Sequence, residues 1–376
     1  MQIVAVDTFV LRHTLDEPFG FSHWWYDART AMLVRVTADD GTTGWGEAYG
    51  PPEPSAAIID HVLAPLILGA DPRDTLPLWE RMYARTRDNG RGGMVLHALS
   101  VWDLKGKALG VSVSRLLGGR FRERVQVYAT GLYFRPRAEF AAELVAEARG
   151  YVAEGFRAIK LKVGLDPETD LRHVRAVREA VGPAIALMVD ANHAYDAATA
   201  IRLGRAFEEL GVRWFEEPVI PEDLEAYAEI ARALDLPIAG GEAEFTRFGF
   251  RRLLEARAVD FIQPDLTATG GFTECQRIAA LASAHGVRYL PHVWGSAVGL
   301  AAGLQFVAAL PSATAALRPL EPLFELDRTP NRFRDELTDE PPSPVDGWLA
   351  IPDRPGLGIT IDEATLARYR TGAAAR

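Results

Sequence analysis

Seven ionisable residues recur along the chain at nearly regular intervals: Lys162, Asp190, Glu216, Glu242, Asp265, His292 and Glu325, spaced by 28, 26, 26, 23, 27 and 33 residues. Each closes a short apolar run, in "IKLKVG", "LMVDAN", "WFEEP", "AGGE", "IQPD", "YLPHV" and "PLFELD". Asp190, Glu216 and Glu242 are carboxylates on consecutive runs. Brought together they would repel one another and hold their protons unless a cation sat among them. An all-oxygen donor set selects a hard divalent ion, magnesium or manganese, whereas zinc would call for histidine or cysteine. Glu217 follows Glu216 directly, and neighbours on a strand point to opposite faces, so one of the two should reach the ion. Helix capping or salt bridging would account for a single strand-end acid better than for three in succession.

Bases flank this trio on both sides. Of the 41 basic residues only four are lysine, at 105, 107, 160 and 162. A chain that uses arginine wherever a fixed charge suffices keeps lysine where a proton must be able to leave, since arginine cannot lose one. The ammonium of Lys160 is expected to lower the pKa of Lys162 towards neutrality and make it a base. After the trio, Asp265 can hold one ring nitrogen of His292, which fixes the tautomer and raises the basicity of the other. Without that aspartate, His292 would read as a satisfied core residue.

Groups repeated at this interval meet only if the elements between them are alike. From "RVQVYATG" to "EPLFELD", eight apolar runs alternate with amphipathic stretches such as "AEFAAELVAEARGYVAEG" and "ETDLRHVRAVREAVG". Strands apolar on both faces, each followed by a helix, predict a parallel sheet curled into an α/β barrel of the (β/α)7β TIM-like type, whose C-terminal strand ends share one mouth. An open doubly wound sheet is the rival. The opening "QIVAVDTFVLR", "TAMLVRVTAD" and "TTGWGEAY" read as strands joined in part by the Asp-Gly turn of "ADDGTTG". Helices are expected near 54–68, 74–85 and 90–109. The predicted organisation is an α+β N-terminal capping domain over 1–120, the barrel over 121–325, and a C-terminal segment over 326–376 that returns to the capping domain.

Composition excludes several partners. The 376 residues carry a net charge of -10 with no basic stripe, which speaks against nucleic acid and anionic membrane. The single cysteine, Cys275, rules out an internal disulfide framework and any multi-cysteine metal site. No signal peptide or membrane span is legible, so a cytoplasmic location is expected. "GTTGWGEAYG" holds a G-x-G but prolines follow it instead of a helix, which removes a dinucleotide site.

Taken in order, "KLK", "DAN", "FEEP", "GGE", "QPD" and "PHVWG" resemble the mandelate racemase subgroup of the enolase superfamily, the mandelate racemase/muconate lactonizing enzyme family, over nearly the whole chain. Within it, "GGEAEF", "PHVWGSAV", "LQFVAA" and "EPLFELDRTPNRFR" are most similar to acid-sugar enzymes such as galactarolactone cycloisomerases. The resemblance implies magnesium on Asp190, Glu216 and Glu242, with Asn192 beside it. It implies Lys162, supported by Lys160, and the Asp265–His292 dyad as the two acid/base groups, and Glu325 bonded to the substrate carboxylate. Asn192, Trp294, His23 and Trp24 are then expected on the substrate side. The implied reaction removes the proton α to a carboxylate, passes through an enediolate, and eliminates a β-oxygen from a sugar acid or its lactone, as a dehydratase or cycloisomerase.

A racemase or epimerase of a 2-hydroxy or amino acid derivative would use the same groups. A Schiff-base aldolase on Lys162 leaves the carboxylate trio unexplained, and a non-catalytic sugar-acid binding protein leaves the acid/base set unused. The partner is a small-molecule carboxylate, and the assembly implied is a homo-oligomer. Two departures stand out. The segment "PFGFSHWWYDART" is expected as an aromatic loop over the mouth, with Trp24, Trp25 and Tyr26 serving as lid or interface. "HALSVWDLKGK" is about five residues short of the family pattern, which should shorten a helix around 97–107.

Overall fold

In the parallel strands that begin near residue 124, odd and even positions separate two environments. The computed structural model describes residues 1–87, 101–137, 140–313 and 316–371. An antiparallel sheet is built from β1 (Ile3–Phe21), β2 (Trp24–Ala38) and β3 (Thr43–Ala48), in that order. Then come β4 (Arg124–Thr130), β5 (Ala158–Lys162), β6 (Ala186–Asp190), β7 (Val212–Glu216), β8 (Ile238–Gly240), β9 (Phe261–Ile262), β10 (Arg288–Tyr289) and β11 (Leu323–Asp327). They lie side by side as β10-β9-β8-β7-β6-β5-β4-β11, all parallel. This is the expected curled (β/α) sheet of a TIM-like barrel. One strand, β12 (Trp348–Ala350), adds antiparallel to β4.

No ladder joins β10 to β11 among the described residues, although chain order makes them neighbours. The seam is held instead by the Val293 N–H, which donates to Glu325 Oε2 at 2.9 Å. Because side chains alternate, Ile159, Leu161, Val189 and Phe215 face the helices in the main core, while Ala158, Met188, Trp214, Ala239, Phe261, Leu290 and Leu323 fill the lower barrel interior with Tyr128. One step further along the same faces the interior turns ionic: Thr130, Lys160, Lys162, Asp190, Glu216 and Glu325, all buried.

The aromatic segment is not a loop. β1 and β2 pair from Ile3↔Ala38 to Phe21↔Trp24, so only Ser22 and His23 remain at the tip of one long hairpin. Its β-branched and aromatic residues favour extended backbone, and the turn falls later than the proline and glycines suggest. Trp24 and Trp25 are 61% and 46% exposed there. Most of the expected helix at 90–109 falls outside the described residues; the described part is Val101–Leu109. The expectation of a shortened helix around 97–107 rests in part on residues 97–100, which lie outside the described residues.

Two buried links fasten the hairpin sheet to the barrel. Arg29 of β2 and Asp327 of β11, each 3% exposed, pair at 3.1 Å, and the Arg29 guanidinium lies 3.6 Å from the Trp294 ring centroid. Asp327→Ala would leave this cation buried without its carboxylate, and we expect it to cost about 3 kcal/mol or more. Urea titration of the variant checks this. Glu47 of β3 accepts from the Ser296 N–H at 2.8 Å, the Ser296 hydroxyl at 2.6 Å and the Gly299 N–H at 2.8 Å, at the start of the helix Ala297–Ala309. A Cβ on Gly295 would come within 2.6 Å of the Glu47 carboxylate, so the close approach needs glycine there.

Candidate active site

Three strand ends lie in one row of the sheet. Lys162 pairs in register with Asp190, and Asp190 with Glu216. Lys160 and Lys162, two apart on β5, both point inward. Glu242 comes two residues after β8, where the chain has left the ladder. Oxygen atoms of Asp190, Glu216 and Glu242 lie within 4.8 Å of one another.

Each member of this trio has a distinct set of partners. Asp190 meets the Lys162 ammonium and accepts from the Asn192 N–H at 3.0 Å. Glu216 pairs with Lys160 and accepts at its other oxygen from Trp214 Nε1 at 3.0 Å and Gln263 Nε2 at 2.7 Å. Glu242 is approached by Asn192 Nδ2 at 3.4 Å and His292 Nε2 at 3.5 Å. Burial, opposed by Lys160 but reinforced by Asp190, Glu325 and Glu242, pushes Glu216 up to about 8. Burial and then the adjacent Glu217 push Glu242 up to about 7. Asp190 goes the other way, burial being outweighed there by Lys162 and Lys160. Glu216 and Glu242 remain short of positive charge, and an all-oxygen donor set of this size fits a divalent magnesium-like cation.

On one side of the trio, Lys162 donates to Asn192 Oδ1 at 2.7 Å as well as meeting Asp190. Its pKa departs from the sequence expectation. Burial lowers it and Lys160 lowers it as anticipated, but Asp190, Glu242 and Glu216 outweigh both, and the net direction is upward. The neighbouring ammonium is visible along the strand, whereas the carboxylates that raise the pKa are brought opposite only by the barrel. Lys160 lies 2.8 Å from Glu325 and 3.5 Å from Asp190. Glu325 also accepts from Thr130 Oγ1 at 2.5 Å and the Val293 N–H, so both of its oxygens are engaged.

On the other side, His292 Nδ1 lies 2.7 Å from Asp265 Oδ2. The other Asp265 oxygen accepts from the Thr267 N–H at 2.7 Å and from its hydroxyl at 2.5 Å, which fixes the carboxylate. Burial disfavours the imidazolium, but Glu242 and Asp265 favour it more strongly, raising His292 to about 10. The cluster thus carries a proton-bearing nitrogen at each end of the carboxylate row.

The remaining expected residues divide. Asn192 sits between Lys162 and Glu242, at a left-handed φ of 40°. Its carbonyl accepts from Ser22 Oγ at 2.7 Å, so the hairpin tip reaches the row. His23 stacks on His193 at 5.8 Å between centroids. Trp294 joins Phe19, Tyr26 and Tyr49 in an aromatic wall. Trp24 stands 61% exposed at the hairpin tip and shares no ring contact with that wall among the described residues.

Sequence reasoning missed His193 and the partner it finds in Glu217, Nε2 to Oε2 2.6 Å. His193 (φ 69°) and Glu217 (φ 44°) have left-handed backbone, so strand alternation no longer governs where they point. It also missed Tyr49, which directly follows the last residue of β3, and Tyr133, two residues past the glycine that follows β4.

Comparison with known proteins agrees with this geometry. Residues 5–118 match the family described as mandelate racemase / muconate lactonizing enzyme, N-terminal domain, and residues 143–365 the one described as enolase C-terminal domain-like. The chain is 47% identical to the D-galactarolactone cycloisomerase of Agrobacterium fabrum over 375 residues, covering 98% of this chain and 99% of that one. The crystal structure of the 3,6-anhydro-D-galactonate cycloisomerase from Zobellia galactanivorans superposes with a TM-score of 0.90 at 40% identity, covering 99% of this chain and 100% of that one. An L-talarate/galactarate dehydratase variant from Salmonella typhimurium, solved with magnesium and L-glucarate, superposes with a TM-score of 0.87 at 30% identity, over 99% and 92%. Among the described residues, no helix is long and apolar enough to cross a membrane.

Proposed function

This chain belongs to the mandelate racemase/muconate lactonizing enzyme family of the enolase superfamily, and from that premise we propose that it is a magnesium-dependent lyase or isomerase acting on a sugar acid or sugar-acid lactone. The observation that carries the reading is the placement of Lys162 and the Asp265–His292 dyad at opposite ends of the Asp190, Glu216 and Glu242 row. A divalent ion held by those three carboxylates would acidify the carbon next to a substrate carboxylate; magnesium is the first choice, and manganese suits the same donors.

The chain's own groups do the rest. Lys162 Nζ takes or returns the proton on one side of that carbon, and Asn192 Oδ1 and Asp190 orient the ammonium. His292 Nε2 serves the other side, its ring held by Asp265 through Nδ1, and hands a proton to the departing β-oxygen. Lys160, locked between Glu216 and Glu325, supplies fixed positive charge under the reacting carboxylate. The acidic net charge and single cysteine support a cytoplasmic protein without nucleic-acid or membrane partners; a homo-oligomer is what the family resemblance implies.

Turnover in deuterium oxide tests the reading. Incubation with a panel of sugar acids and lactones should give a keto product trapped by semicarbazide, or the isomerised lactone product. Recovery of substrate with an inverted, deuterated α-carbon and no other product would assign a racemase instead.

A further inference from the structure

Three tyrosines from three different segments close around the two candidate bases. Tyr133, two residues past the glycine that follows β4, has its ring 5.1 Å from Lys162 Nζ. Tyr49, just past β3, has its ring 5.8 Å from that of His292, edge-on. Tyr26 of β2 packs on Trp294 at 4.9 Å, and Trp294 lies 6.3 Å from Tyr49, so the wall runs unbroken between the two bases. Phe19 backs it, 5.0 Å from Tyr133 and 5.4 Å from Tyr26. The Tyr49 N–H donates to the carbonyl of Thr267 at 3.1 Å, the residue whose own N–H and hydroxyl fix Asp265. Tyr49 is therefore registered on the dyad by backbone.

None of the three phenol hydroxyls has a hydrogen-bond partner among the described residues; Tyr133 is buried, Tyr26 and Tyr49 are half-buried, and a tyrosine hydroxyl so placed normally finds one. Tyr151 donates to Glu147 at 2.7 Å and Tyr195 to Asp170 at 2.6 Å, whereas the hydroxyls of Tyr128 and Tyr289 are sealed in the interior without a hydrogen-bond partner; those of Tyr26, Tyr49 and Tyr133 are not sealed in this way. The electrostatic environment places the unpaired groups at the site, since Tyr49 feels Tyr26, Glu242, Asp265 and Tyr133, and Tyr26 feels Lys162 and Glu242.

We propose that Tyr26, Tyr49 and Tyr133 are specificity-determining residues whose hydroxyls bond the hydroxyl groups of a polyhydroxylated acid, while their ring faces cover its carbon chain. An aromatic wall would otherwise select an apolar substrate; unpaired phenols change its chemistry to that of a polyol site, apolar in body and polar at fixed points. This rests on the sugar-acid reading above and names the part of the substrate that the metal row and bases do not touch.

The test compares a long substrate with a short one. Galactarate and galactonate carry hydroxyls beyond the β-carbon, and glycerate does not. In the magnesium-loaded enzyme, Tyr49→Phe and Tyr133→Phe should each lower the galactarate-to-glycerate or galactonate-to-glycerate ratio of kcat/KM by about tenfold, the worth of one hydrogen bond of about 1.4 kcal/mol. A merely structural role would lower both substrates alike and leave the ratio in place, and that result overturns the proposal. If the wild type turns over none of the three, the reaction reading fails, and calorimetric titration of the same acids decides separately. A preference for the long acids that shrinks in the phenylalanine variants upholds the tyrosine wall. An unchanged preference, or no binding of any of them, removes it.

Discussion

Replacing Lys162 by arginine should reduce kcat at least about 10³-fold, near the upper range of what a positioned acid/base group contributes. The substitution keeps a positive charge beside Asp190, so the carboxylate row does not lose its counter-ion on that side. What it removes is the ability to exchange a proton, because a guanidinium stays charged at any useful pH. The expected signature is loss of product formation together with loss of α-deuterium incorporation from the Lys162 side. A Lys162→Arg enzyme within about tenfold of wild-type turnover would take the lysine out of the chemistry. Lys160→Arg is a different experiment, because Lys160 is locked between Glu216 and Glu325 and its expected part is charge.

Stripping divalent ions should have an equally large effect. Exhaustive chelation is expected to bring turnover to background, and added magnesium to restore it. The carboxylates of Asp190, Glu216 and Glu242 converge to within 4.8 Å, and burial pushes Glu216 and Glu242 up to about 8 and about 7, so the row is poised to gain from a cation. A readout independent of catalysis follows from linkage. Magnesium at about 100 times its dissociation constant should stabilise the fold by about 2.7 kcal/mol, visible as a rise in Tm. Full activity after chelation, with no magnesium-dependent shift in Tm, would sink the metal assignment.

The reason so much of this row was legible is that each member follows an apolar strand, and strand spacing in a barrel converts directly into neighbourhood. Asp190, Glu216, Asp265 and His292 could be placed from the chain alone for that reason. Alternation along β5 likewise put Lys160 and Lys162 on one face. Where regular backbone ends, the inference weakens. His193 and Glu217 sit at left-handed φ beyond their strands, and their 2.6 Å pairing has no periodic signature. The direction of the Lys162 shift was misjudged because charge from other strands enters only in three dimensions. The hairpin of β1 and β2 was misjudged because "DEPFGFSHWW" carries turn-forming residues inside a segment whose pairing runs on to Phe21 and Trp24. The Arg29–Asp327 link joins residues 298 apart in sequence, a distance over which composition carries no information.

The cap that Glu47 supplies to Ser296 and Gly299 bears on how such proteins can recombine. A chimera that took its first domain from one relative and its barrel from another would keep every strand-end acid and base, yet begin the helix after His292 with donors left unmet unless the incoming domain also brought a carboxylate to that spot. Barrel integrity is thereby inherited with Arg29 and Glu47 of the first domain, so an exchange of the hairpin tip alone has to leave both on the barrel's side of the graft.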